Sequence, residues 1–199
     1  RDVELAADVR ARDKAIDQLE ILINNEAAKL LALRSPTAID LRLVLSVIKV
    51  ASNLERIGDY SKNMAKRTTV LMEMPHVFDK GQGLRRLARE VELMLKDALD
   101  AYIQRDVKLA EEVIQRDREV DQMYSGQFRE FLTYMMEDPR NITPCMHLHF
   151  IAKNIERMGD HVTSIAEQVI YIVTGNRPTE EREKKDKTSA DANISLDLE

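Results

Sequence analysis

The feature that most constrains the fold is an internal duplication. Residues 1–18 read RDVELAADVRARDKAIDQ and residues 105–122 read RDVKLAEEVIQRDREVDQ, so the two stretches share R-D-V-x-L-A-x-x-V-x-x-R-D-x-x-x-D-Q. Further along each copy, N-x-E-R-x-G-D occurs at residues 53–59 and again at 154–160. Self-similarity on this scale indicates one supersecondary unit that is used twice. The chain is therefore predicted to contain two copies of the same unit.

Apolar residues recur at helical spacing through most of the chain, which predicts an all-α protein. The composition agrees, because 199 residues include only six Gly and five Pro, and these residues terminate helices. Short connections between long helices favour antiparallel bundles. From Arg177 onward the sequence is polar and aperiodic, which predicts a disordered tail. Five long helices are predicted, over about residues 2–33, 37–72, 83–104, 106–137 and 143–173.

The two copies differ in what precedes them. The apolar helix GLRRLAREVELMLKDALDAYIQ, residues 83–104, comes before the second copy, whereas nothing comes before Arg1. A two-helix hairpin would leave its apolar stripe in water. We therefore predict two three-helix bundles, the first lacking its N-terminal helix in this chain, with the natural protein starting upstream and the exposed stripe favouring self-association. A native two-helix start is the alternative. The predicted units are residues 1–75 and 76–175, followed by the tail at 176–199.

Acidic residues four positions apart occur twice in each copy, and such residues share one face of a helix. In an antiparallel hairpin, residues equidistant from the turn lie at the same height. Positions 17 and 55, and positions 13 and 59, are both centred on Pro36, and the corresponding pairs of the second copy are centred beside Pro139. Both sets flank the apolar stripe, so we expect them where the helices meet solvent. The first cluster is Asp13, Asp17, Glu55 and Asp59, and the second cluster is Asp117, Asp121, Glu156 and Asp160.

Four carboxylates at one height repel one another, so each cluster needs a positive charge nearby. Bound metal ions are one solution, because grouped carboxylates are hard oxygen ligands. Neutralisation by neighbouring arginines is the other, and the candidates adjoin the acids in sequence. Sequence neighbours point about 100° apart on a helix, so not all of these arginines reach inward. Gly58 and Gly159 fit both interpretations, because a missing side chain allows close approach. The candidate arginines are Arg12, Arg56, Arg116 and Arg157.

The charge and cysteine content exclude several classes of protein. A formal net charge of −5 argues against nucleic acid as the partner, because phosphate binding requires a basic surface. The single Cys145 rules out an intramolecular disulfide framework and fits a reducing cytoplasm. No signal peptide and no apolar run long enough to cross a membrane is found. We therefore expect a cytoplasmic protein.

The two copies of N-x-E-R-[IM]-G-D-[YH], together with the two D-x-x-x-D copies, resemble the PhoU family of phosphate-transport accessory and regulatory proteins. The resemblance spans about residues 1–173 and includes all four E/D-x-x-x-D motifs of the family. It implies two pseudo-symmetric three-helix bundles, each able to carry a multinuclear cluster of divalent or ferric metal ions. Iron or zinc is implied first, with manganese or magnesium as alternatives. The metal ligands carried over are Asp13, Asp17, Glu55, Asp59, Asp117, Asp121, Glu156 and Asp160.

The same resemblance implies a non-enzymatic negative regulator of the phosphate regulon. Such a protein links the phosphate ABC transporter, through its ATPase subunit, to the sensor histidine kinase of the phosphate two-component system. From the exposed apolar stripe we expect a homo-oligomer, most simply a homodimer, and we expect it to reach the membrane only through its partners. Two features depart from the family pattern: the first helix is absent, and the charged tail after residue 176 is long.

Two other functions remain open at this stage. A metal-free helical adaptor would use the acidic clusters as a docking surface for a basic partner. A ferritin-like di-metal oxidase would need Glu-x-x-His motifs on its helices, and the one E-x-x-H here, Glu73 to His76, contains Pro75. We expect packing or surface roles for His147, His149 and His161, and a packing role for Cys145.

Overall fold

The computed structural model describes residues 2–74 and 82–176, and all its long elements are helices. The predicted all-α fold is confirmed: within the described residues there is no β-strand. A single 3-10 turn, Pro139–Asn141, separates the last two helices. The predicted tail lies mostly outside the described residues. The helices are α1 (Val3–Arg34), α2 (Ala38–Met72), α3 (Gln82–Gln104), α4 (Val107–Glu137) and α5 (Ile142–Thr174).

The duplicated R-D-V-x-L motif begins a helix in both copies. Asp2 accepts a hydrogen bond from the backbone N–H of Leu5 at 2.9 Å, and Asp106 accepts the equivalent bond from Leu109 at 3.1 Å. An aspartate at this position satisfies one of the four backbone donors that a helix start leaves free. The same short motif therefore sets the start of both α1 and α4.

Helices α3, α4 and α5 form a closed three-helix bundle, because each packs against the other two. All three helices contribute fully buried side chains to its core, including Leu87 and Met94 from α3, Val113 and Val120 from α4, and Val162 from α5. Burying a side chain of this size stabilises the fold by roughly 1.5–3 kcal/mol. The second unit thus has a complete core of its own.

The first unit is open on one side. Among the described helices, α1 packs only against α2, and α2 packs in turn against α5. Of the stripe predicted for α1, Ala27 is buried but Leu5 and Leu19 are more than half exposed. Between α1 and α2 lies a groove of about 520 Å³, closed at one side by Leu95 of α3. The groove is lined mainly by apolar side chains, among them Val9, Ile16, Leu19, Ile23, Ala51, Leu54 and Ile57.

The length and hydropathy of the helices bear on whether any of them could span a membrane. None of those within residues 2–74 and 82–176 combines the length and the apolar character that a membrane span requires.

Candidate functional site

The first cluster lies on the facing sides of α1 and α2. Lys62 donates to Asp13 Oδ2 on α1 and, at 2.8 Å, to Asp59 Oδ1 on α2, so one ammonium joins the two helices. Asp13 is only 5% exposed, and its Oδ1 has no hydrogen-bond partner. Glu55 lies one turn from Asp59 and interacts with it, while Asp17 is half-buried. The structure therefore brings Asp13 level with Asp59, as the centring on Pro36 predicts.

The second cluster lies between α4 and α5 and is buried more deeply. Asp117, Asp121 and Glu156 are buried, and Asp160 is half-buried. Glu156 Oε1 lies 3.0 Å from Lys153 Nζ, whereas the buried Glu156 Oε2 has no hydrogen-bond partner. The expectation that the acids lie at the solvent boundary is therefore wrong for these three acids, as it is for Asp13 in the first cluster.

The directions of the pKa shifts indicate which side chains of the two clusters favour their charged form and which favour their neutral form. Burial raises the pKa of Glu55, and the negative charge of Asp59 raises it further. The Lys62 hydrogen bond holds the pKa of Asp59 below its ordinary value, and the same bonds to Asp13 and Asp59 raise the pKa of Lys62. The Lys62 ammonium thus stabilises the ionised form of Asp59, whereas the environment of Glu55 favours its protonated form.

Burial acts most strongly in the second cluster. It raises the pKa of Glu156, and the charges of Asp160 and Asp121 add to the increase, while Lys153 opposes it. A buried carboxylate with like charges around it binds its proton more tightly, or calls for a cation.

The repeated glycines lie where the helices approach most closely. A Cβ at Gly159 would be 3.2 Å from Asp117 Oδ1 and 3.4 Å from Val120 Cγ1. A Cβ at Gly58 would be 3.2 Å from Ile16 Cδ1 and 3.6 Å from Asp13 Oδ1. Each glycine therefore adjoins an acid of its cluster, which confirms that it is a close-approach position beside those acids.

The arginines contribute less to the clusters than their sequence positions suggest. Arg56 lies 3.5 Å from Glu55 and 3.6 Å from Asp59, but its side chain is mostly exposed. Arg116 instead donates to Glu90 at 2.8 Å and Asp97 at 2.6 Å, both on α3.

The lysines are the partners that sequence reasoning missed. Lys62 lies three residues after Asp59, and Lys153 lies three residues before Glu156. The i, i+3 spacing was a usable signal.

Carboxylate oxygens are suitable ligands for the metal ions that the family resemblance implies. Two buried carboxylate oxygens without partners, Asp13 Oδ1 and Glu156 Oε2, fit such an ion. In residues 2–74 and 82–176, however, no three His, Cys, Asp or Glu side chains are grouped so as to hold one. The type of donor atom is therefore suitable in both clusters, but the present arrangement does not form a metal site, and the carboxylates would have to turn toward one another to bind an ion. The eight metal ligands remain a prediction.

His149, His161 and Cys145 make packing contacts. His161 Nδ1 lies 2.8 Å from Asn53 Oδ1, which accepts a hydrogen bond from the ring N–H, and the His161 ring lies 5.6 Å from that of Tyr60. Burial lowers the pKa of His161, which favours the neutral ring. His149 stacks among aromatic rings, including that of Phe128, and Cys145 is fully buried. These contacts agree with the packing roles expected from the sequence.

The fold and the two clusters define a class: duplicated helical-bundle proteins in which each repeat carries a matched set of carboxylates between its last two helices. The family model described as the PhoU domain matches residues 1–68 and 84–169, which are the two repeats. The chain belongs to the PhoU family.

Relatives extend the match over nearly the whole chain. The chain is 46% identical over 188 residues to the phosphate-specific transport system accessory protein PhoU homolog of Rhizobium meliloti, covering 94% of this chain and 79% of that protein. It is 45% identical to the homolog of the same description from Caulobacter vibrioides, covering 95% of this chain and 82% of that protein.

Solved structures share the fold. The crystal structure of PhoU from Pseudomonas aeruginosa superimposes with a TM-score of 0.85 at 41% identity, covering 88% of this chain and 84% of that one. The phosphate transport system regulatory protein PhoU from Streptococcus pneumoniae gives a TM-score of 0.81 at 29% identity, covering 90% and 84% of the two chains. The bundle architecture is therefore that of experimentally determined PhoU structures.

Proposed function

We propose that this chain is a non-enzymatic, cytoplasmic accessory protein of phosphate transport that represses the phosphate regulon when phosphate is plentiful. Relatives at 45–46% identity are described as accessory proteins of the phosphate-specific transport system. The partners proposed are the ATPase subunit of the phosphate ABC transporter and the sensor histidine kinase of the phosphate two-component system. Family membership over both repeats is the observation that carries the proposal.

The clusters would stiffen the surface that the partners recognise. Each cluster ties two long helices together near the middle of a hairpin, where a cation between carboxylates of both helices opposes sliding and splaying. In this role a metal ion supplies a multivalent positive charge that links oxygens of both helices. The first cluster would hold it with Asp13, Asp17, Glu55 and Asp59, and the second with Asp117, Asp121, Glu156 and Asp160.

A genetic experiment tests the regulatory role. A reporter of phosphate-starvation genes is measured in phosphate-replete medium in the native host, with and without the gene for this protein. Loss of the gene should derepress the reporter, and restoring it should re-establish repression. Normal repression in the deleted strain would contradict the proposal.

A metal-free adaptor is the second candidate, and a specific observation favours it. Lys62 already joins Asp13 to Asp59, and Lys153 contacts Glu156, so the chain itself supplies a positive charge to each cluster. Elemental analysis of protein purified without chelator separates the two candidates. Metal near one equivalent per cluster supports the first. Less than about a tenth of an equivalent, unchanged in Glu55→Ala/Asp59→Ala, supports the adaptor.

Self-association through the exposed face of α1 is part of the proposal. Leu19 and Leu22 are more than half exposed and Leu33 is 81% exposed, and contiguous exposed apolar surface marks interaction sites. We expect a homodimer by light scattering coupled to size exclusion. Leu19→Glu/Leu22→Glu should shift it to monomer, whereas Glu111→Lys on the exposed face of α4 should not. A monomeric wild-type protein would contradict this part.

A further inference from the structure

The groove between α1 and α2 is the counterpart of a core surface in the second unit. The repeat aligns residues 1–18 with 105–122 and residues 53–59 with 154–160. Four apolar residues of the groove lie within these ranges, and their four counterparts are buried in one core with apolar side chains of α3. The aligned pairs are Val9 and Val113, Ile16 and Val120, Leu54 and Ile155, and Ile57 and Met158. The groove thus has the composition of a bundle core.

In the first unit this surface is partly open to water. Leu19 is 56% exposed and Ile16 is 36% exposed, whereas Val120, which aligns with Ile16, is fully buried. Leu95 of α3 lines one side of the groove. Removing apolar surface from water is favourable, and contiguous exposed apolar surface marks interaction sites. The open side of the groove therefore favours the docking of a further helix.

Arg12 restricts the charge of the helix that can fill the groove. The aligned Arg116 donates to Glu90 at 2.8 Å and to Asp97 at 2.6 Å, both on α3. The Arg116 side chain is 27% exposed in these contacts, whereas Arg12 lines the groove and is 78% exposed. A helix that covers the groove buries part of this guanidinium, and a buried charge without a partner is strongly destabilising. The helix must therefore bring acids to Arg12.

We propose that this groove is the docking site of a partner helix from outside residues 1–199, one with an apolar stripe and two acidic side chains seven residues apart beside it. Residues seven apart lie on one face of a helix, so both acids reach Arg12 from the same side. A second copy of the chain fits less well, because in each copy Glu90 and Asp97 of α3 already bind Arg116. The inference goes beyond the proposed regulatory function and does not depend on it.

A synthetic peptide with the sequence of α3 is the probe, because α3 is the helix that packs on the aligned surface. The peptide QGLRRLAREVELMLKDALDAYIQ, residues 82–104, carries a fluorescent label, and its anisotropy is measured as the full chain is added. The labelled peptide should bind saturably. A peptide with Glu90→Gln/Asp97→Asn keeps the apolar stripe without the two charges, and it should bind at least about tenfold more weakly.

An exchange of charges identifies the groove as the site of binding. Arg12→Glu in the full chain should weaken binding of the original peptide at least about tenfold and should restore binding of a peptide with Glu90→Lys/Asp97→Lys. Arg116 is unchanged in this variant, so replacement of the chain's own α3 by the peptide would not follow the exchange. Arg10→Glu is the matched control, because Arg10 is exposed on the same helix and does not line the groove; it should leave the affinity unchanged. Circular dichroism confirms that each variant remains helical, and Arg12→Gln is a second variant if Arg12→Glu does not fold.

The possible results are distinguishable. Saturable binding that follows the charge exchange supports the inference, including the case in which the peptide dissociates a dimer of the chain. Binding that ignores the charge exchange overturns it, as does an absence of binding to a monomeric chain. An absence of binding to a dimeric chain whose dimer is lost in Leu19→Glu assigns the groove to a second copy and also overturns the inference. None of these results bears on the regulatory role that the reporter tests.

Discussion

Replacing each of the two aligned glycines by alanine should have opposite effects on stability. Alanine in a helix interior is favoured over glycine by about 1 kcal/mol, and this gain is common to both sites. At Gly159, the new Cβ would lie 3.2 Å from the buried Asp117 Oδ1 and 3.4 Å from Val120 Cγ1, with Val91 of α3 behind at 3.8 Å. Valine has little rotamer freedom, and overpacking a closed core costs about 1–3 kcal/mol. Gly159→Ala should therefore destabilise the protein by about 1 kcal/mol.

Gly58, the aligned position in the first repeat, accommodates an added Cβ more easily than Gly159 does. At Gly58 the nearest atom is the terminal methyl of Ile16, at 3.2 Å, and Ile16 is 36% exposed beside the open groove. That methyl can rotate away, so most of the helix gain is retained and Gly58→Ala should stabilise the protein by about 0.5 kcal/mol. The two variants should thus differ by about 1.5 kcal/mol.

Urea unfolding followed by helical circular dichroism measures this difference. The midpoint of Gly159→Ala should lie below that of the wild type, and that of Gly58→Ala at or above it, with similar slopes. A Gly159→Ala protein as stable as Gly58→Ala would refute the reasoning, because it would show that α3, α4 and α5 are not packed as closely around Gly159 as the distances state.

Two further predictions follow from burial. Arg116→Ala should destabilise the protein by about 1–2 kcal/mol, because it leaves the partly buried Glu90 and Asp97 without their partner. The side chain of the aligned Arg12 is 78% exposed, so Arg12→Ala should lower stability by less than about 0.5 kcal/mol in the same urea assay. Equal losses of stability in the two variants would contradict this prediction. Burial raises the pKa of the Cys145 thiol above its ordinary 9.0, so a disulfide reagent should label the native protein far more slowly than the unfolded protein. The raised pKa favours the protonated thiol, so its contribution to stability should be lost as the pH rises above 9.0. Rapid labelling of the native protein would show that Cys145 is not buried in the core of the α3–α4–α5 bundle.

The helices and the level of the acids could be predicted from sequence, because both depend on local rules. Helical periodicity and breakers predicted the bounds of all five helices to within about one residue of those observed. The centring of acid pairs on Pro36 depends only on a short turn and antiparallel helices, and the link between Asp13 and Asp59 confirms it. Both inferences required no knowledge of a third helix.

The basic partners of the acids and the burial of the acids could not be predicted from such local rules. A helical wheel places a residue relative to the apolar stripe of its own helix, and on this basis the acids are expected at the solvent boundary. Asp13, Asp117 and Asp121 are instead buried. A lysine side chain has many rotamers, and its direction is decided by the acids of another helix. Lys62 therefore did not stand out among many charged residues, although its spacing from Asp59 was visible.

The aligned residues Arg12 and Arg116 indicate which side chains a helix would need in order to close the groove between α1 and α2. In the closed bundle, Arg116 is bound by Glu90 and Asp97, seven residues apart on one face of α3. Arg12 occupies the aligned position in the first repeat and lines the groove. Within residues 2–74 and 82–176 its ion pair is with Asp8 of its own helix, at 3.5 Å. A helix that closed the first repeat as α3 closes the second would bury the groove's apolar side chains and supply two acids, seven residues apart, to Arg12. The groove is therefore specific in charge as well as in shape, and an apolar helix lacking those acids would bury Arg12 without its partners.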